Sequence, residues 1–273
     1  MTNGGPKAKT LILQLLLAAD GGALAARDAV TACSLFDIAE SAARVTLVRL
    51  AAAGMIEGAG RGAYRLGPAA AGFAADVAGW RRAGERLRPW AGGYVAVHSG
   101  ALGRSDRAAL RARHRALDML GFAEMDKGLH LRPDNLAGGV GAIRRRLLAL
   151  GLDAGATVFA AGDFARDPGH LWDGAALNAA YRRRSVLDDW LARAGDLDPD
   201  VAAREAFLIG SRAIRQIVFD PLLPEPLVDG GEREAFFAAV RQFDAAGRAL
   251  WRRFFAAQNQ RPGEIDEPGL HPH

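Results

Sequence analysis

Between Glu40 and Leu66 this chain reads ESAARVTLVRLAAAGMIEGAGRGAYRL, and no other stretch limits its fold as sharply. Ala43, Leu47, Leu50 and Gly54 recur at helical spacing and form one apolar face, which leaves Arg44, Thr46 and Arg49 outside it. Met55 to Glu57 suits a short strand. Gly58, Gly60 and Gly62 then allow a tight turn with positive φ, and Tyr64 to Leu66 returns as a second strand. Helix, strand, glycine-rich turn with Arg61 at its tip, strand: this is the order of a winged helix-turn-helix. In that arrangement the N-terminal part of the helix meets base edges, which selects Ser41, Arg44 and Thr46. Arg49, Arg61 and Arg65 fall where phosphates or the minor groove would be met. A winged helix kept only for protein contacts, and an ordinary helical domain carrying a hairpin, are the alternatives the residues leave open.

The residues upstream supply the two helices such a module needs. Leu11, Leu15 and Ala18 mark a helix over 9–18, ended by Asp20-Gly21-Gly22, and a second helix is expected over 27–35. Ile38 to Ser41 makes the turn, with Glu40 or Ser41 as cap of the next helix. The apolar run from Leu11 to Ala19 is too short to span a bilayer, and no A-x-A-like site follows it, so no leader or membrane anchor is expected. The single cysteine, Cys33, excludes an intrachain disulfide and any multi-cysteine metal site, which fits a reducing cytoplasm. The net charge of +4 is unevenly spread: residues 1–150 hold 21 Lys and Arg against 12 Asp and Glu, and the remainder holds 14 against 19. A basic N-terminal half suits a polyanion, since cations that neutralise phosphates release counterions.

At 273 residues the chain has room for two or three domains, and the pattern beyond the first module reads as α+β. The expected division is a winged helix over 1–72, a linker helix over 73–90, a middle domain over 91–170, a helical domain over 171–258 and a disordered tail over 259–273. The linker helix carries Arg81, Arg82, Arg86 and Arg88 and stops near Pro89. In the middle domain, strands at 93–98, 122–125, 128–132 and 157–160 alternate with helices at 105–120 and 139–150. That order, β-α-β-β-α-β, is a ferredoxin-like split βαβ, with both helices on one face and Ser105 capping the first. His114 falls on the apolar stripe with Leu110 and Leu117 and reads as a packed core histidine; His98 and His130 carry little signal. Arg144 to Arg146 read as a solvated face or an anion site. Three helices follow, at 175–194, 199–219 and 232–257. The last has an apolar stripe of Phe236, Val240, Phe243, Gly247, Leu250 and Phe254. Between the second and third, the prolines of DPLLPEPL (220–227) hold the chain extended.

The chemistry-bearing motifs are few. No phosphate-binding glycine loop, dinucleotide fingerprint or G-x-S-x-G appears, so neither catalytic residues nor a cofactor nor a metal is expected. Asp163, Asp167 and His170 in GDFARDPGH are the candidates for a competing reading, an enzyme acting on nucleic acid or a thioester through the middle domain. The Gly/Pro-rich setting favours a loop.

Three segments in order along the chain carry a family resemblance: ARVTLVRLAAAGMIE with GRGAYRL, then GFAEMDKGLHLRPDNL, then REAFLIGSRAIRQIVFDPLLPEPL. Together they resemble the PaaX-like family, the repressors of phenylacetic-acid catabolism, over residues 8–255. The resemblance implies a homodimeric, cytoplasmic repressor bound to double-stranded operator DNA and released by an aryl-CoA thioester. The residues that would hold such an effector are not named by the sequence.

Overall fold

The helical spacing of Leu11, Leu15 and Ala18 becomes α1 (Ala8–Ala18) in a computed structural model of the protein, which describes residues 5–100, 102–103 and 105–260. The tail expected over 259–273 lies, from 261 on, outside the described residues. The elements then follow as β1 (Ala23–Ala25), α2 (Ala26–Ser34), α3 (Glu40–Ala52), β2 (Ile56–Gly58), β3 (Ala63–Leu66) and α4 (Ala71–Ala78). Next come β4 (Tyr94–His98), α5 (Arg107–Met119), β5 (Ala123–Asp126), β6 (Leu129–Pro133), α6 (Gly139–Ala149) and β7 (Thr157–Ala161). The chain closes with α7 (Gly174–Arg182), α8 (Ser185–Arg193), α9 (Pro199–Val218) and α10 (Gly230–Gln260). The protein is a mixed α+β structure with two antiparallel sheets.

Two compact units divide these elements. The first holds described residues 5–71, 193–208 and 244–260; the second holds 72–192 and 209–243. In the first unit, α1, α2 and α3 pack around a small sheet of order β1-β3-β2. Its core joins Leu11, Ile12 and Leu16 of α1 to Ala43, Leu47 and Leu50 of α3 and Ile56 of β2. Ala203 and Phe207 of α9 and Trp251 and Phe254 of α10 complete that core, with Phe36 edge-on to Phe207 at 5.3 Å. The strand β1 was not expected from sequence. It is three residues long with no β-branched side chain, and it exists because Leu24 pairs with Tyr64 across the sheet. The helix cap also differs from expectation. Ala39 precedes α3 and no side chain caps it; Glu40 and Ser41 lie inside the helix. Asp37, at φ 59°, makes the turn that leads there.

The second unit is built on β4. Its strand order is β5-β6-β4-β7, with every neighbour antiparallel. Tyr94 and Ala96 point to one face with Leu131, where Trp90, Phe164, Leu171 and Trp172 pack on them. Phe164, from the GDFARDPGH stretch (162–170) read from sequence as a loop, thus helps Leu171 and Trp172 to cover a sheet face. Tyr94 meets Trp90 and Phe164 edge-on at 5.5 and 5.4 Å, and its hydroxyl donates to Asp167 Oδ1 at 3.3 Å. The opposite face, carrying the buried Val95 and Val97, is left to the apolar sides of α5 and α6.

Segments far apart in sequence meet in this unit through buried polar contacts. The Arg132 guanidinium donates to the Leu120 carbonyl, to Pro133 O at 3.0 Å and to Asn135 Oδ1 at 2.8 Å. Asn135 Nδ2 in turn donates to Leu222 O at 2.7 Å. Trp172 Nε1 donates to Gly121 O at 3.2 Å, and a side chain on Gly121 would lie 2.5 Å from the Cα of Pro221. Asp220 is buried, accepts the Leu222 N–H at 2.8 Å and is held above the usual carboxylate range by that burial. The GF…LRPDN and DPLLP stretches are therefore two sides of one joint.

Three further expectations change. The linker helix is not continuous: α4 ends at Ala78, and the chain continues as 3-10 turns at Gly79–Arg82 and Gly84–Arg86, consistent with glycines weakening a helix interior. The single helix expected over 175–194 is two, α7 and α8, broken between Arg182 and Ser185. The cap of α5 is Asp106, which accepts the N–H groups of Ala108 and Ala109 at 2.8 and 3.0 Å; Ser105 lies one residue too early.

Candidate nucleic-acid interface

The amphipathic pattern of α3 sets which residues can meet a partner. Its core side is Ala43, Leu47 and Leu50, all buried. Ser41, Arg44 and Arg49 are exposed on the other side, and Thr46 is half-buried. Two valines share the outer side, Val45 at 48% and Val48 at 65% exposure. Sequence reasoning passed over both, although their place beside Arg44 and Arg49 was legible.

The candidate residues differ in how free they are. Arg44 is tied to Glu40 one turn earlier, Nη2 to Oε1 at 2.6 Å, with both side chains more than half exposed. Arg65 on β3 pairs with Glu57 on β2, Nε to Oε1 at 2.7 Å. Exposed i,i+4 pairs are worth only about 0.3–0.5 kcal/mol, so a phosphate can displace such a carboxylate. The Thr46 hydroxyl donates to Ala42 O at 2.8 Å, which leaves its methyl and its acceptor lone pairs. Arg49 and Arg61 have no ion pair among the described residues.

The hairpin is fixed to the helix by backbone. Met55 N–H donates to Leu50 O at 2.9 Å, Gly67 N–H to Met55 O at 2.9 Å and Ala69 N–H to Gly54 O at 3.1 Å. A Cβ on Gly67 would overlap the Gly54 carbonyl. At the other end of the hairpin, Ala26 N–H donates to Gly62 O at 2.7 Å, so the turn that carries Arg61 is anchored to the start of α2. The structure brings Ser41, Arg44, Thr46 and Arg49 together on α3. It keeps Arg61 and Arg65 on the hairpin, with no side-chain hydrogen bond or ion pair to the helix among the described residues.

The residues of the competing enzyme reading serve their own loop. Asp167 Oδ1 accepts the Gly169 N–H at 2.9 Å and the Tyr94 hydroxyl, and His170 Nδ1 lies 2.8 Å from Asp167 O. Asp163 is exposed at φ 53°. Among the described residues no cluster of three or more His, Cys, Asp or Glu side chains is placed to hold a metal ion. His114 is exposed on α5 rather than packed in the core, because the buried stripe of that helix runs through Arg113, Ala116 and Leu117. Arg144, Arg145 and Arg146 are all exposed on α6.

Comparison with known proteins agrees with the first and third of the sequence segments, and GFAEMDKGLHLRPDNL lies outside the matched residues. The family model described as PaaX-like protein matches residues 7–70, and that described as PaaX-like protein C-terminal domain matches residues 172–253. Among solved structures the chain is similar to the uncharacterized protein Rv0674 from Mycobacterium tuberculosis, with 24% identity and a TM-score of 0.62 over 91% of this chain and 99% of that one. A likeness at that identity speaks for the fold alone. No match was found among curated proteins. With both family models in order and more than half of its length matched, this protein belongs to the PaaX-like family, a family of transcriptional regulators.

Proposed function

We propose that the protein is a ligand-responsive, dimeric transcriptional repressor that reads operator DNA through a winged helix within residues 5–71. In this reading Ser41, Arg44 and Thr46 address base edges, and Arg49, Arg61 and Arg65 address phosphates or the minor groove. The observation that carries it is the two-sidedness of α3: three core residues on one side, and on the other an arginine-bearing surface on which Val45 and Val48 stay exposed. An i,i+4 arginine–glutamate pair at the start of that surface is a cheap stand-in for a phosphate. The β-α-β-β-α-β order over 91–170 is read as a ferredoxin-like domain. A two-fold dimer would place its half-sites whole turns of duplex apart. The family supplies the effector class, an aryl-CoA thioester such as phenylacetyl-CoA.

The test is fluorescence anisotropy with the DNA upstream of the protein's own gene, at about 150 mM salt and with scrambled duplex as competitor. Specific binding that phenylacetyl-CoA releases is the expected result. Binding without preference over scrambled duplex sinks the DNA-reading proposal, and specific binding indifferent to the thioester removes that effector.

A further inference from the structure

The second unit contains a cavity of about 390 Å³ that no function above uses. It opens between α5, the turn after β4 and the β5–β6 hairpin, and Ser99, Leu110, Arg113, His114, Lys127 and His130 line it. Its walls are held in place by backbone. Ser99 N–H donates to Gly128 O at 2.7 Å. Gly128, at φ 78°, lies so close that a side chain there would sit 2.6 Å from the Cα of Gly100. The cavity is thus a built feature, fixed where two turns cross.

The polar groups in it fall into two classes. Some are already committed: Arg113 to Asp153 at 2.9 Å and to the Gly103 carbonyl, Glu124 to the Gly128 N–H at 3.0 Å, and Ser99 to the Gly128 carbonyl. The rest have no hydrogen bond or ion pair from their side chains among the described residues, and these are Lys127, His114 and His130. The His130 Nδ1 is buried and unpartnered. Every uncommitted group is a nitrogen, and the lining cations Arg113 and Lys127 outnumber the one lining carboxylate, Glu124, which accepts the Gly128 N–H. What complements them is an acceptor-rich, negatively charged head. The volume is in the range of small-molecule sites and Leu110 forms an apolar wall, so the head belongs to an organic body and not to a bare ion.

We propose that this cavity binds a small organic oxyanion, a carboxylate or phosphate ester, through Lys127, His114 and His130. The site stands whether or not the protein reads DNA. Burial, with His114 and Arg113 nearby, holds the His130 imidazole below its usual range against the pull of Glu124 and Asp118. A neutral His130 donates one N–H, and Lys127 supplies the charge.

The experiment uses the full chain and no DNA. Benzoate, phenyl phosphate and the neutral control benzamide are titrated while the imidazole nitrogens of His114 and His130 are followed by NMR. One or both anions should shift both imidazoles saturably with a Kd below about 1 mM, and benzamide should not. The tighter anion identifies the head group. Lys127→Ala, at an exposed turn, should weaken that anion at least about fivefold, and Leu110→Trp should close the cavity and abolish the shifts. The proposal fails if no saturable shift appears, if benzamide binds as well as benzoate, or if Lys127→Ala binds both anions like the parent protein.

Discussion

Arg132 is a guanidinium removed from water whose hydrogen-bond partners are all neutral: the Leu120 and Pro133 carbonyls and the Asn135 amide. Burial first, then Arg86, pushes its pKa down, with Asp134 opposing. Its worth is therefore in the acceptors it satisfies. Arg132→Met should cost about 2–4 kcal/mol in a denaturant titration, because it strands those carbonyls inside the unit. Gly121 occupies the same joint for a steric reason: it combines φ 70° with Pro221 lying against the position of a Cβ. Gly121→Ala should lower stability by more than about 2 kcal/mol, and a thermal midpoint equal to the parent's would disprove the close approach. Cys33 is the opposite case, inert by enclosure. It is 0% exposed, and burial pushes its thiol up to about 11. A thiol reagent at mildly alkaline pH should label it only after unfolding.

At the scale of elements, α3 makes the sharpest predictions. Arg44→Ala should cost about 1–3 kcal/mol of operator affinity and relax preference at one base pair, whereas Arg49→Ala should weaken all sequences alike and reduce the salt slope by about one. Glu40→Gln frees Arg44 and removes a like charge from the phosphates, so operator binding should tighten by about 1 kcal/mol, roughly fivefold. For α5, the cap Asp106 is held below its usual range by the N–H groups of Ala109 and Ala108. Its contribution is present above the unfolded carboxylate value and lost as pH falls through the folded one. The thermal gap between the parent and Asp106→Ala should narrow on acidification. The helices α3 and α6 were legible because their apolar residues repeat at fixed intervals: Ala43, Leu47 and Leu50 on α3, Ile143 and Leu147 on α6. β1 was not, since a three-residue strand of alanine and leucine has no pattern until β3 supplies its partner. Nor was the cavity, because His114, Lys127 and His130 lie on a helix, a turn and a strand that only the folded sheet brings together. Leu110, Arg113 and His114, at i, i+3 and i+4, were the trace of it in the sequence.

Across the whole molecule, each unit buries an acid that the fold keeps neutral. Cys33 in the first is raised to about 11, and Tyr94 in the second is pushed up to about 12 by burial, with the Asp167 charge and hydrogen bond adding to it. Folded values above the unfolded 9.0 and 10.0 mean that these contributions are intact below those values and disappear as pH rises through the folded ones. The melting temperature should hold steady on the near-alkaline side and then decline across about pH 9 to 12; a decline beginning near neutrality would point to other groups. The contact of Gly67 with the Gly54 carbonyl has a consequence of another kind. With no room for a side chain there and backbone bonds on both sides, helix and hairpin behave as a single casting. If this surface reads DNA as proposed, descendants of this protein that acquire new targets do so by exchanging the letters on the surface of that casting, at Ser41, Arg44, Val45, Val48 and the turn around Arg61, and not by re-angling one part against the other.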